Sequence, residues 1–399
     1  MKNDTEIFKK IMTQFVMKED PLLEMLKWTM EQMMQIEIAD KLNAAKGKHS
    51  EKRRGYLSGY RPRRFDTRLG TIYLMIPKVR KGGYIPFFIT ERKRSEQALI
   101  SMVQEAYING VSTRKIERLA KELGIENISA SQVSQINKGL DEQVEMFRTR
   151  SLERTYPFVW VDALYEKIRN REGRVVSTAM MIAYGVTLEG KREILSVEPF
   201  VNESTATWKA FFDKLKMRGV EKIALLISDA HAGIQVGFKE CFVGASWQRC
   251  KVHFMRNIQA YVSSKAKESF GAKLKQIWLQ RTKEEAQATA AQVIAEFKAR
   301  FPEAIEVLEM GLEDSLQFYH FPQIDKRKAS STNTLERINR EIRRRSRVVS
   351  IFPSKAAYLR LITMHLIEYT EDWEVERSYI KPDKLQQAMA WYEVQCNAA

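Results

Sequence analysis

Two aspartates stand where apolar runs end, Asp162 in "YPFVWVDALY" and Asp229 in "EKIALLISDAHAG". A carboxylate beyond a buried strand is costly to leave unpaired, so each needs a hydrogen-bonded structural role or a cation. On strands adjacent in one sheet, two of them put like charges side by side, an arrangement favoured mainly by a divalent metal between them. A metal site for phosphoryl chemistry wants one more carboxylate. "SSTNTLERINREIRRRSR" supplies Glu336, in the first turns of a helix capped around Thr332 to Thr334, and Arg337, Arg340, Arg343, Arg344, Arg345 and Arg347 follow it. Such a helix can turn its acid to a metal pair and its arginines to phosphates; standing alone, Glu336 would read as one member of a surface helix laced with Glu–Arg pairs. Cys250 and His253 form a Cys-x-x-His, but no second Cys-x-x-Cys or His-x-x-x-His accompanies them. Cys241 alone does not complete a tetrahedral zinc set, so a buried Cys with a hydrogen-bonded His is the economical reading.

These residues need a sheet to hold them. "YPFVWVDALY", "RVVSTAMMIAYGVT" and "KREILSVEPFV" read as strands, the last two antiparallel neighbours joined by Gly190; "ESTATWKAFFDKLKMRG" is a helix capped by Ser204 or Thr205 and ended by Gly219, and "EKIALLIS" is the fourth strand. The expected fold is α+β, a mixed α/β layer. From Phe254 to about Phe321 the chain is rich in Ala, Lys, Glu and Gln with apolar spacings of three and four, which predicts helices only.

The charge points to a partner. Of the net +16, +12 lies between Lys46 and Arg94, where 15 Lys and Arg meet 3 acids. Tyr56, Tyr60, Phe65, Tyr73, Tyr84, Phe87 and Phe88 are interleaved with it, and "GTIYLMIPKV" reads as a strand followed by a Gly-Gly turn and a second short strand. Cations with aromatics on a small hairpin suit a nucleic-acid backbone, with Arg53, Arg54, Arg61, Arg63 and Arg64 as candidate DNA contacts. Next, Ser112 or Thr113 caps a helix with Ile116, Leu119, Ala120 and Leu123 on one face and Gly124 at its end; Ser129 or Ser131 caps a second with Val133, Ile136, Leu140, Val144 and Phe147. The pair resembles a helix-turn-helix, which adds Arg114 and Lys115 to the DNA contacts, although a plain helical hairpin would look the same. The first 45 residues, with Phe8, Ile11, Phe15, Leu22, Leu26, Met30, Met33 and Met34, are amphipathic helix, either packing or a dimer contact. Three scattered cysteines make a disulfide framework unlikely, and the chain has no apolar signal region and no membrane-length apolar run, so a cytoplasmic protein is expected.

Taken together, "GYRPRR", "GVSTRKIERLAKELG", "WVDA", "ISDAHAG", "QRCKVHFMRN" and "STNTLERINREIRRRSR" make the chain resemble the Mutator-type insertion-sequence transposases of bacteria, DDE transposases with an RNase H-like core. The most specific element is Asp229 with Gly233, then Gln248, Cys250 and His253. The resemblance implies that Asp162, Asp229 and Glu336 are the catalytic, metal-binding triad, 67 and 107 residues apart, with an all-α insertion in the second gap. It places Cys250 and His253 beside the active site. It further implies two Mg²⁺ or Mn²⁺ ions, nicking at the element's end and attack of the freed 3′-OH on another phosphodiester, with terminal inverted repeats and target DNA as partners, a homodimer or larger assembly and no membrane. Arg337, Arg340 and Arg344 are the DNA contacts expected near the triad. The domain order this sets is a helical region over 1–45, a basic hairpin over 46–94, a helix-turn-helix-like domain over 95–150, a catalytic core over 151–253, the helical insertion over 254–325, the core's Glu-bearing last part over 326–375 and a helical tail over 376–399. An RNase H-like nuclease or resolvase would share the acids but cut without joining; a DNA-binding regulator on the same scaffold would bind without chemistry.

Overall fold

Met30, Met34, Ile38 and Leu42 recur every four residues along helix α1 (Pro21–Leu42), forming one apolar stripe. In the computed structural model, which describes residues 12–44, 53–67, 70–80, 83–122, 128–349 and 351–398, that stripe packs on Ile72, Leu74 and Ile76 of a two-stranded antiparallel ribbon, β1 (Leu57–Thr67) and β2 (Gly70–Val79). Ile72, Leu74 and Ile76 alternate with exposed residues, the period of a half-buried strand. The ribbon runs the other way from the sequence expectation: β2 pairs back onto β1, and after Gly83 the chain enters a helix, α2 (Phe87–Ile108), where a second short strand was expected. β1 escaped notice because Pro62 and three arginines mask its strand pattern. Phe8, Ile11, Leu123, Gly124 and residues 46–52 lie outside the described residues.

The described residues gather into two compact units, Met1–Val103 with Arg118–Ile128, and Gln104–Glu117 with Ser129–Ala399. The helices expected after the basic region are present. Ser112 Oγ accepts the Lys115 amide at 3.3 Å at the start of α3 (Thr113–Glu122), and Ser129 closes a capping box with Gln132 at the start of α4 (Ala130–Asn137). A single 3₁₀ turn, Lys138–Leu140, then links α4 to α5 (Asp141–Thr149) where one longer helix was expected.

The second unit is built on a five-stranded mixed sheet of order β5-β4-β3-β6-β7, with β3 (Phe158–Arg169), β4 (Val175–Val186) and β5 (Arg192–Phe200) antiparallel and β6 (Leu225–Ser228) and β7 (Ser246–Arg249) parallel to β3. The β4–β5 hairpin turns at Gly190, whose φ of 83° favours glycine. β7 was not expected from sequence: four residues, three of them polar and buried or half-buried, are too few to show a period. One face of the sheet is covered by α6 (Thr205–Met217) and α7 (Ala232–Cys241), whose Trp208, Phe211, Phe212, Ile234 and Phe238 join Val159, Val161 and Leu226 in the main core. Gly233 and Gly237 make that packing possible, since a Cβ on either would stand 2.8 Å from the backbone of Ser204–Thr205 or of Lys209.

After β7 the chain is helical: α8 (Lys251–Gln259), α9 (Lys267–Ile277), α10 (Lys283–Phe297), α11 (Pro302–Gly311), a 3₁₀ stretch Glu313–His320, and the short α12 (Lys326–Ala329). It returns as α13 (Asn333–Ser346), followed by α14 (Lys355–Val375) and α15 (Pro382–Ala398). Three side-chain bonds lay α13 and the turn before it along β3: Trp160 Nε1 donates to the Ser331 carbonyl at 3.2 Å, Asn339 Nδ2 to Asp162 Oδ2 at 2.7 Å and Ser346 Oγ to Glu166 Oε1 at 2.8 Å.

Candidate active site

Register sets the two aspartates side by side. β3 and β6 pair in parallel through Trp160 and Ile227, and two residues further along each strand come Asp162 and Asp229. β3 does not end at its aspartate, as the sequence suggested; it continues to Arg169, so Asp162 lies within the strand at the point where its neighbour stops. Both acids, with Glu203, His253, Glu336 and Asn339, line one cavity of about 770 Å³. Burial first, and then the Asp229 charge, push the Asp162 carboxyl up to about 7. The Ala163 amide, 2.9 Å from Oδ1, and Asn339 are its hydrogen-bond donors.

Glu336 is held by a His and an Arg. Its Oε1 lies 3.2 Å from His253 Nε2 and 3.1 Å from Arg256 Nη1, both on α8. The adjoining Cys250 sulfur, followed by the Asp162 and Glu336 charges, pushes the imidazole up to about 9 against the effect of burial. Among the described residues no three His, Cys, Asp or Glu side chains form a ready-made metal cage. The donor set nevertheless suits a hard divalent cation: carboxylate oxygens on one cavity, with the Asp229 charge acting on Asp162.

The signature residues after Asp229 have legible tasks. Gln248, fully buried at the sheet edge, donates to the Ser315 carbonyl at 2.8 Å and accepts the Phe318 amide at 2.8 Å, pinning the far end of the helical segment to β7. Cys250, also fully buried, accepts from both the amide and the hydroxyl of Thr332 at 3.4 Å, at the residue that begins α13. Burial pushes its thiol up, but bonding to His253 and Thr332 outweighs this and leaves it below its ordinary value. His253 then meets Glu336 one turn into that helix. Gln, Cys and His thus anchor in succession the return of the chain that delivers Glu336 to the sheet. Cys241 lies on α7, its thiol donating to Asp213 Oδ1 at 3.3 Å.

Arg340 and Arg344, expected as DNA contacts, line the cavity together with Arg343 and Arg347; Arg337 is exposed on the same helix but does not line it. Among the lining residues that escaped the sequence reading are Arg256, Asn339 and Glu203, whose carboxylate accepts the Trp208 indole N–H at 3.3 Å. Arg256 and Asn339 follow His253 by three residues and Glu336 by three residues, the same-face spacing of a helix, and could have been found that way. Arg54, Arg61, Arg63 and Arg64 are exposed on or beside the ribbon; Arg53 is half-buried, its guanidinium 5.3 Å from the Tyr56 ring centroid. Arg114 and Lys115 are exposed on α3.

The protein thus brings to one cavity two acids carried on or just beyond parallel strands and a third from a later helix. Comparison gives its family: residues 2–376 match the family described as Transposase, Mutator family, and the chain belongs to it. It is 38% identical over 368 residues to the transposase for insertion sequence element ISRM5 of Rhizobium meliloti, covering 92% of each chain. It is 41% identical to the transposase for IS1081 of Mycobacterium tuberculosis, covering 86% of this chain and 82% of that one. The transposase for IS256 in transposon Tn4001 of Staphylococcus aureus is 34% identical, over 93% and 96% of the two chains. Among the described residues no helix is long and apolar enough to cross a membrane.

Proposed function

We propose that this Mutator-family chain is a DDE transposase that binds the terminal inverted repeats of an insertion sequence, cleaves DNA at the element's ends and joins the freed 3′-OH to target DNA. The observation that carries the reading is the convergence of Asp162, Asp229 and Glu336 on one arginine-lined cavity. The strand order, with three antiparallel strands followed by two parallel ones, supports an RNase H-like core, and the helices between β7 and α13 support an insertion within it.

Asp162, Asp229 and Glu336 would hold Mg²⁺ or Mn²⁺, two ions per site, which supply activation of the attacking oxygen and neutralisation of the leaving one. The chain's own residues do the rest. Asn339 and the Ala163 amide hold the Asp162 carboxylate in orientation. His253 and Arg256 hold Glu336 at the cavity, and Arg340, Arg343, Arg344 and Arg347 offer guanidinium forks to the phosphodiester backbone. The basic ribbon and the α3–α4 pair would grip the ends, in a homodimer or larger assembly that brings two ends together.

The test is incubation of the protein with a labelled duplex bearing its element's ends and Mg²⁺ or Mn²⁺, beside Glu336→Gln. Metal-dependent nicking followed by joined products, both absent in the variant, is the expected result. Nicking without joining would make it a nuclease, and binding without nicking a regulator.

A further inference from the structure

Arg345 stands apart from the other arginines of the α13 region. Arg340, Arg343, Arg344 and Arg347 line the cavity of the acids, whereas Arg345 does not, and its side chain is only 11% exposed. Its Nη1 donates to the Ile108 carbonyl at 2.7 Å and to Glu368 Oε2 at 3.1 Å, both within the second unit. Ile108 is the last residue of α2. The final carbonyls of a helix have no intrahelical donor and form the negative end of its dipole, so a guanidinium suits that place. Glu368, on α14, keeps the charge paired there. Gly110 brings the two backbones close: its φ is 80°, and a Cβ on it would stand 3.1 Å from the Arg345 Cα.

On one side of this joint are the helices expected to hold DNA. Only Val111 and Ser112 separate Gly110 from α3, whose first turn exposes Arg114 and Lys115. Two further bonds fix the same region to α14. The buried Tyr107 donates its hydroxyl to the Ala357 carbonyl at 3.0 Å, and the buried Arg360 grips both oxygens of Asp141, the first residue of α5, at 2.6 and 2.8 Å. On the other side is the catalytic acid. Glu336 precedes Arg345 by nine residues of one helix, about 14 Å along its axis, and a helix of that length is stiff enough that tilting one end moves the other. Asn339 and Ser346 keep α13 on β3 whether or not Arg345 is present. What Arg345 adds is a link from the helix of Glu336 to the end of α2.

We infer that Arg345 is a positioning residue for the reaction, coupling engagement of DNA by the α3–α4 pair to the placement of Glu336, so that holding an element's end steadies the acid at the cavity. The inference rests on the DNA reading above for α3 and α4. The phosphate contact that a run of arginines suggests does not suit Arg345, which is buried and already engaged by two acceptors. A plain brace would steady α13 equally with and without DNA, and that difference is measurable.

Hydrogen–deuterium exchange of the full-length protein, with and without a duplex that carries the end repeat but stops short of the cleavage site, reads the coupling without chemistry. The duplex should slow exchange several-fold in α3 and α4 and also in α13. In Arg345→Gln the slowing in α3 and α4 should remain while that in α13 is lost. Arg345→Lys should recover part of it, since an ammonium reaches the carbonyl without the guanidinium's fork. His365 Nδ1, 3.1 Å from Glu368 Oε2, still faces that acid in both variants. Equal slowing of α13 in parent and Arg345→Gln, or none in the parent, would overturn the coupling. If Arg345→Gln melts far below the parent, Arg345→Lys carries the test, and slowing of α13 equal to the parent's overturns the inference. Nicking gives a second reading: at saturation Arg345→Gln should lose about tenfold on the element-end duplex and less than about twofold on a scrambled one. A structural fault would lower both alike and overturn the positioning role. Anisotropy of the short duplex reports end binding separately. A parent that does not bind it brings down the DNA reading and the coupling together, whereas binding with no effect on α13 brings down the coupling alone.

Discussion

At the scale of single residues, the site is organised by charges that oppose folding. Asp162 is a buried acid raised from 3.8 to about 7, chiefly by burial and next by Asp229. An acid whose folded pKa exceeds its unfolded value binds more protons in the folded state, so its contribution is least unfavourable below about pH 4 and becomes fully destabilising above about pH 7. With chelator present, Asp162→Asn should therefore melt higher than the parent near neutral pH, and the gap should close as pH falls from about 7 toward about 4, while nicking is abolished at every pH. A variant melting at or below the parent at pH 8 would show that the pair is compensated within the protein. Cys250 works in the opposite sense, stabilising the start of α13 through Thr332. Cys250→Ala leaves that buried amide and hydroxyl without their acceptor and should cost about 1–3 kcal/mol, with Cys250→Ser recovering part of it. An unchanged melting temperature in Cys250→Ala would remove the anchoring role, and bound zinc in the purified parent, measured by elemental analysis, would restore the metal reading.

Elements explain why a carboxylate some hundred residues downstream reaches the sheet. β7 ends in residues that grip the returning chain, and α13 and the residues leading into it are bonded to β3 at three points. On the other face, α7 lies on α6 only because Gly233 and Gly237 carry no Cβ. Gly233→Val would place atoms against the Ser204–Thr205 backbone, which cannot swing aside as a side chain can. It should destabilise by about 1–3 kcal/mol and displace the Asp229 end of β6, lowering nicking along with the melting temperature; a melting temperature equal to the parent's would mean the two helices can part freely. Sequence made much of this layer readable because β3, β4 and α6 are long and strongly patterned, and because Asp162 and Asp229 interrupt apolar runs. β7 was illegible for the converse reason, being four residues whose buried Gln248 looks polar in isolation. The pairing of β2 with β1 was missed because arginines and Pro62 hide an edge-like ribbon strand whose core comes from α1, and no local pattern reports that helix's role. Arg256, which bonds to Glu336, and Asn339, which bonds to Asp162, were obscured too, although both stood at helical spacing from residues already singled out.

For the whole molecule, the excess of +16 is divided between places that should perform separable work. The ribbon arginines belong to the first compact unit, whereas Arg340, Arg343, Arg344 and Arg347 line the acidic cavity of the second. Phosphate contacts release counterions wherever they are made, so each lost contact should reduce the log–log salt slope of DNA binding by about 0.9. The consequence for chemistry depends on location. Replacing Arg61, Arg63 and Arg64 together by Gln should weaken end binding and flatten the slope, yet leave joining near normal once protein is raised to saturate the DNA, because none of the three lines the cavity of the acids. Replacing Arg340 and Arg344 by Gln should change saturable binding little and cut nicking and joining at full occupancy, since those two residues line the cavity of the acids. Titrations at several salt concentrations, paired with single-turnover assays on saturated DNA, separate the two effects. If the ribbon variant keeps the parent slope, the duplex is held elsewhere on the molecule; if the cavity variant reacts at the parent rate once saturated, its arginines serve solvation of α13 and the backbone is positioned by other groups.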